Sequence, residues 1–166
     1  MNAQITTDQV WEIVAKELFA VLGMVTARGE ARTVGIVYIE HDRKLYVGTR
    51  QSSWKARHVR QNPHVSLTIP IAKRIPLLPW FKIPAATITC AGTAMVLDPA
   101  EVDPEVCERL FRSMAEDPAQ LAQLCILELI PQGDFLTYGV GVSLLQMREP
   151  AQAQARVPVG VEPTAS

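Results

Sequence analysis

Several things are scarce in this 166-residue chain, and each scarcity removes a class of explanation. Its charges almost cancel, with 16 Lys and Arg against 17 Asp and Glu and a formal net charge of -1. No bulk field draws such a chain to a polyanion, so no nucleic-acid partner is expected. No run of 18 or more apolar residues occurs, so no segment reads as membrane-spanning and a membrane partner is not expected. The opening MNAQITTDQV has neither a basic cluster nor an apolar run, so no signal peptide is read and a cytoplasmic location is expected. The three cysteines, Cys90, Cys107 and Cys125, are odd in number and far apart, without metal-ligand spacing. They are expected as reduced, buried thiols, and no metal site is expected. Of the three histidines, His41 sits in a turn, His58 on a helix surface and His64 at the start of a strand. Asp42, Glu105 and Glu108 show no carboxylate pairing, so no residue is named as a general acid or base. No internal repeat is found.

What is present suits one mainly β domain. Hydrophobic residues make up 48% of the chain, enough for a single core. Thr6 with Gln9 forms a capping box for a first helix, whose apolar face runs through Val10, Ile13, Val14, Leu18 and Val21. Strands are expected over 24–28, 32–40, 44–49, 64–71, 87–97, 125–130 and 135–147. Turns are expected at Arg28-Gly29-Glu30, His41-Asp42-Arg43 and Gln132-Gly133-Asp134. Ser53 caps a helix over 54–61, which Asn62-Pro63 ends. Asp103 and Pro104 open another helix, reaching about Met114, and a short helix follows near 119–124. The expected fold is α+β, mainly β: a six- or seven-stranded split antiparallel β-barrel with flanking helices over residues 1–148. Residues 149–166 read as a tail, loosely held or wrapping on a partner subunit.

One region is richer in chemistry than the rest. The loop Thr49 to Ser53 runs straight into a helix N-terminus, where unpaired amides favour an anion. Thr49, Ser52 and Ser53 add hydroxyl donors. Lys55 places a cation in the first helical turn, which is unfavourable unless an anion offsets it. Arg32 starts the adjoining antiparallel strand and can grip a phosphate in bidentate fashion.

This constellation resembles the pyridoxamine 5'-phosphate oxidase-like superfamily of FMN-binding split barrels. The resemblance rests on Arg32-Thr33-Val34, on Leu45-Tyr46-Val47-Gly48-Thr49, and on Ser53-Trp54-Lys55-Ala56 followed by Gln61-Asn62-Pro63. It implies that Arg32, Thr49, Ser53 and Lys55 hold the FMN phosphate, and that Val34 and Gly35 lie near the isoalloxazine ring through backbone groups. Thr33, Ser52 and Trp54 complete the implied cofactor-binding set. Trp54 stands where the family often has a second basic residue. The family's C-terminal substrate-phosphate signature is absent, so pyridoxamine phosphate is not the expected substrate.

The resemblance further implies a homodimer and an FMN-dependent oxidoreductase acting on a small molecule. Relatives that bind the deazaflavin F420 or haem, and flavin binders without turnover, stay open as alternatives. Residues 73–84 form a proline-rich loop carrying Leu77, Leu78, Trp80 and Phe81, read as a cofactor lid or a dimer contact.

Overall fold

The computed structural model describes residues 5–72, 86–112, 118–143, 147 and 149–160. The loop expected over 73–84, Met114 and part of the strand expected over 135–147 lie outside the described residues. Helix α1 (Thr7–Lys16) begins at the expected capping box, with Thr6 and Gln9 satisfying each other's backbone amides. It ends five residues before the apolar pattern suggests, because Glu17 is already extended. From Phe19 the burial alternates, and the chain forms β1 (Phe19–Val25) rather than further helix. Val21 fits the helical period, but the sheet wins because it buries Ala20, Leu22 and Met24.

The expected strand over 32–40 is two strands, β2 (Ala31–Val37) and β3 (Ile39–His41), hinged at Tyr38. Tyr38 is fully buried and its hydroxyl donates to the Val14 carbonyl at 2.7 Å. Asp42 and Arg43, both at positive φ, turn the chain into β4 (Lys44–Arg50). Helix α2 (Trp54–Gln61) and β5 (His64–Ile71) follow within their expected bounds, and β6 (Ala86–Leu97) follows residues 73–85. Helix α3 (Pro104–Phe111) stops short of the expected end, and α4 (Pro118–Leu121) is a single turn.

Gln132-Gly133-Asp134 does not reverse the chain. It is a bulge within one long strand, β7 (Leu124–Tyr138), where the register against β6 shifts between Thr89 and Ala91 and Gly133 takes φ +71°. The expected sixth and seventh strands are therefore one. The loosely held tail is also corrected over part of its length: after α5 (Pro150–Ala153), β8 (Gln154–Pro158) pairs with β7. Val157 and Val159 are buried there, and the Trp11 indole donates to the Val159 carbonyl at 2.9 Å.

All strand pairs are antiparallel, in the order β2-β1-β5-β6-β7-β4-β3, with β8 on β7. Because β2 and β3 sit at opposite ends of that order yet are consecutive in sequence, the sheet curls into a barrel whose ends meet around Tyr38. Inward side chains, among them Leu22, Leu45, Leu67, Ile88, Leu127 and Phe135, fill the interior. Val10, Trp11 and Val14 of α1 join this core, as do Ala56 and Val59 of α2. Helix α3 packs Val106 and Phe111 on the outer face, against Tyr46 and Ile126.

Candidate functional site

The barrel is incomplete on one side. The β3–β4 ladder runs only from Ile39↔Tyr46 to His41↔Lys44. Continued in the same register, Arg32 would face Ser53. Instead β2 swings away at Tyr38, and Arg32 pairs with Met24 of β1. Among the described residues no strand covers the outer edge of β2, or the edge of β4 beyond Tyr46. Two open lips result: β2 from Ala31, and the end of β4 leading into α2.

The second lip is well anchored. The Ser53 amide donates to the Arg50 carbonyl, and the Gln51 amide to the Gln123 carbonyl, both at 2.9 Å. The Gln51 side chain adds bonds to the carbonyls of Ala122 and Leu124. Ser53 is extended, and its hydroxyl accepts from the Ala56 amide at 3.2 Å, which opens α2. Among the described residues nothing accepts from the amides of Trp54 and Lys55, the donors a helix N-terminus leaves over. Lys55 is half-buried and has no ion-pair partner among the described residues. Thr49 lies on the inward-facing register of β4, directly across from Cys125 of β7.

Thr49, Ser52, Ser53, Trp54 and Lys55 are thus contiguous around the start of α2. Arg32 and Thr33 start the other lip. Arg32 is occupied locally, donating to the Glu30 carboxylate at 2.8 Å and to its neighbour's carbonyl at 3.0 Å. This exposed ion pair contributes little, so the guanidinium is readily recruited elsewhere. Val34 leans into the core. Gly35 lies beneath the Phe19 ring, whose Cε2 would stand 2.8 Å from a Cβ at that position. Trp54 does not pack under the barrel; it is 41% exposed and meets His58 edge-on at 5.6 Å.

His58 is half-buried rather than on the surface, and its Nδ1 is enclosed without a partner among the described residues. His41 is half-buried beside Asp42, at 3.6 Å, and His64 is exposed. Cys90 and Cys125 are buried and all three thiols are free, but Cys107 is only half-buried. Burial pushes the Cys90 thiol up to about 12. Burial also raises the Cys125 thiol, against the opposing charges of Arg60 and Lys55 and with a smaller rise from Asp98. No metal-binding cluster of His, Cys, Asp and Glu exists among the described residues.

The sequence does not single out Arg60, a further cation of α2. Its guanidinium reaches back along α2 and donates to the Gln51 carbonyl at 3.2 Å, beside the Thr49–Ser53 loop. One signal was available: the chain has no Asp or Glu between Asp42 and Asp98, so the cations of this stretch lack sequence-local partners. A groove of about 630 Å³ on the outer face of β6, β7 and β8, lined by Thr87, Thr89, Tyr138, Gln154 and Arg156, was also not foreseen.

The family model described as Pyridoxamine 5'-phosphate oxidase matches residues 6–133. None of the curated proteins matches. Among solved structures, the General Stress Protein 26 from Bacillus anthracis superposes with a TM-score of 0.55 at 17% identity, over 79% of this chain and 92% of that one. HutZ, the heme storage protein from Vibrio cholerae, superposes with a TM-score of 0.57 at 16% identity, over 81% and 96%. An F420 reductase superposes with a TM-score of 0.50 at 16% identity, over 75% and 93%. At such identities these structures support the fold alone.

Proposed function

Because the chain belongs to the pyridoxamine 5'-phosphate oxidase-like split-barrel family, we propose that it is an FMN-binding flavoprotein that oxidises or reduces a small molecule, with the flavin phosphate seated at the split between β2 and β4. The observation that carries this reading is Lys55. It stands in the first turn of α2 without a carboxylate partner among the described residues, next to the hydroxyls of Thr49 and Ser53 and two uncommitted amides. A cation against a helix N-terminus is unfavourable, and a phosphate relieves both charges at once. Arg32, on the facing lip, supplies the second cation by leaving Glu30.

The donor set fits a phosphate ester. Bound there, FMN would supply hydride acceptance and donation at its ring. The chain's part is to grip the phosphate through Arg32, Thr49, Ser53 and Lys55, to line the ring with backbone of Val34 and Gly35, and to keep water out. Ser52 and Thr33 border the same split, and Trp54 flanks it. F420 and haem are the competing ligands; for haem, His58 on α2 has an enclosed ring nitrogen without a partner among the described residues, while His41 lies beside Asp42 and His64 is exposed.

A homodimer and a cytoplasmic location belong to the same proposal. Leu18, Phe19 and Val37 are 64%, 47% and 69% exposed where β1 meets the free edge strand β2. An open edge with an apolar flank calls for a cover, and a second copy provides one for both subunits. No helix among the described residues is long and apolar enough to cross a membrane. The test is the absorbance spectrum of the purified protein with mass spectrometry of the released cofactor, followed by NAD(P)H oxidation by the loaded protein. A flavin spectrum with the mass of FMN is expected, and a haem spectrum or the mass of F420 would overturn the ligand.

A further inference from the structure

Gly35 sits inside a strand that gives no backbone reason for a glycine. Its φ is not positive, and β2 pairs with β1 without a break from Phe19↔Val37 to Val25↔Ala31. Glycine weakens a strand interior, and there it marks the close approach of something else. Gly35 faces outward, between the inward-leaning Val34 and the buried Ile36. A Cβ at Gly35 would lie 2.8 Å from Cε2 and 3.0 Å from Cζ of Phe19. The far edge of that ring therefore occupies the space that a side chain at this position would fill. Phe19 pairs with Val37, so its side chain leans two residues along β2 to reach Gly35.

Phe19 stays 47% exposed in this position, so the sheet alone does not bury it. The outward face continues through small side chains. Thr33 and Gly23 form the next outward pair, and Ser66 of β5 stands opposite Gly23. Together with Arg32 and His64 they border a cavity of about 300 Å³. An exposed aromatic ring and a guanidinium thus stand at the two ends of one shallow strip. That combination suits a ligand with a flat apolar ring and an anionic end. We infer that Phe19 is a further contact of the flavin ring, and that position 35 is glycine so that Phe19 can lie against β2 and make it. This rests on the flavin site proposed above and deepens it, because it adds a side chain to a ring site otherwise lined by backbone. Leu18 and Val37, 64% and 69% exposed, remain for the partner copy.

The experiment titrates FMN and riboflavin against the full-length wild type, Phe19→Ala, Phe19→Tyr, Gly35→Ala and the double variant carrying both alanines. The ligand-free melting temperature and the sedimented mass of each are measured alongside. Phe19→Ala should weaken both ligands by the same factor, about tenfold, at unchanged mass, because the contact is to the ring they share. Phe19→Tyr keeps the ring and should bind both as the wild type does. Gly35→Ala displaces only the free end of the Phe19 side chain, so it should lose flavin affinity with little change in melting temperature. The double variant should bind no more weakly than Phe19→Ala. Wild-type affinity in Phe19→Ala, a loss for FMN alone, or a fall in mass overturns the inference, and additive losses in the double variant overturn the role of Gly35. A wild type that binds neither FMN nor riboflavin overturns the flavin site itself, a different failure from the others.

Discussion

The two sides of this barrel solve the same problem differently. On the closed side, β7 is paired along both edges, by β6 and by β4 and β8 in turn, and α3 covers part of its outer face. That side even buries a carboxylate: Glu128 is 6% exposed, accepting from the Tyr46 hydroxyl at 2.9 Å and the Lys44 ammonium at 3.2 Å. On the split side, β2 has a bare edge, Val37 stands in solvent, and Lys55 has no ion-pair partner among the described residues. Polar groups are satisfied from within on one side and left for something else on the other. The first is expected to carry stability, and the second is where the proposed ligand would bind.

That contrast predicts effects of different size and kind. Leu127→Ala empties a fully buried position on β7 and should cost about 2–5 kcal/mol in denaturant unfolding, with or without ligand. A loss below about 1 kcal/mol would mean that the closed side is not the stability core. Val37→Asp, on the split side, should leave the fold intact and weaken dimerisation by at least about tenfold in sedimentation, since a carboxylate must then be buried. An unchanged dimeric mass would place the interface elsewhere, and a monomeric wild type would contradict the proposed dimer.

A more gradual effect concerns alkaline pH. The Cys90 thiol is raised from 9.0 to about 12 in the folded protein by burial. A raised folded value means that its contribution is complete below the unfolded value and is lost as pH climbs from about 9 towards 12. Stability should fall there by about 1.4 kcal/mol per pH unit from this group. Tyr38 and Tyr46, also raised chiefly by burial, add to the fall at higher pH. Cys90→Ala should flatten the early part of that limb.

Legibility in the sequence did not follow that division. The bounds of α2 and β5 could be read because Ser53 caps one and Asn62-Pro63 separates the two. The start of β1 could not, because Leu18 and Val21 satisfy helical spacing while the buried set Ala20, Leu22 and Met24 satisfies the strand period. The break at Tyr38 is invisible in sequence, since an alternating pattern does not reveal that a strand changes partner. Gln132-Gly133-Asp134 has the composition of a turn, and only the pairing with β6 makes it a bulge. The residues around α2 could be singled out as candidates because their chemistry is local. Arg60 was not, because its link to Gln51 depends on a side chain folding back along the helix.

The central claim is that the open split holds the phosphate of a flavin, and Lys55→Ala tests it most directly. FMN and riboflavin are titrated against the wild type and the variant, and the melting temperatures of the ligand-free proteins are compared. FMN binding should weaken by roughly ten- to a hundredfold, as expected for one charge-assisted phosphate contact of about 1.5–3 kcal/mol. Riboflavin binding should barely change. The ligand-free variant should be no less stable than the wild type, because a cation has left a helix N-terminus. Unchanged FMN affinity, or equal losses for FMN and riboflavin, would contradict the account.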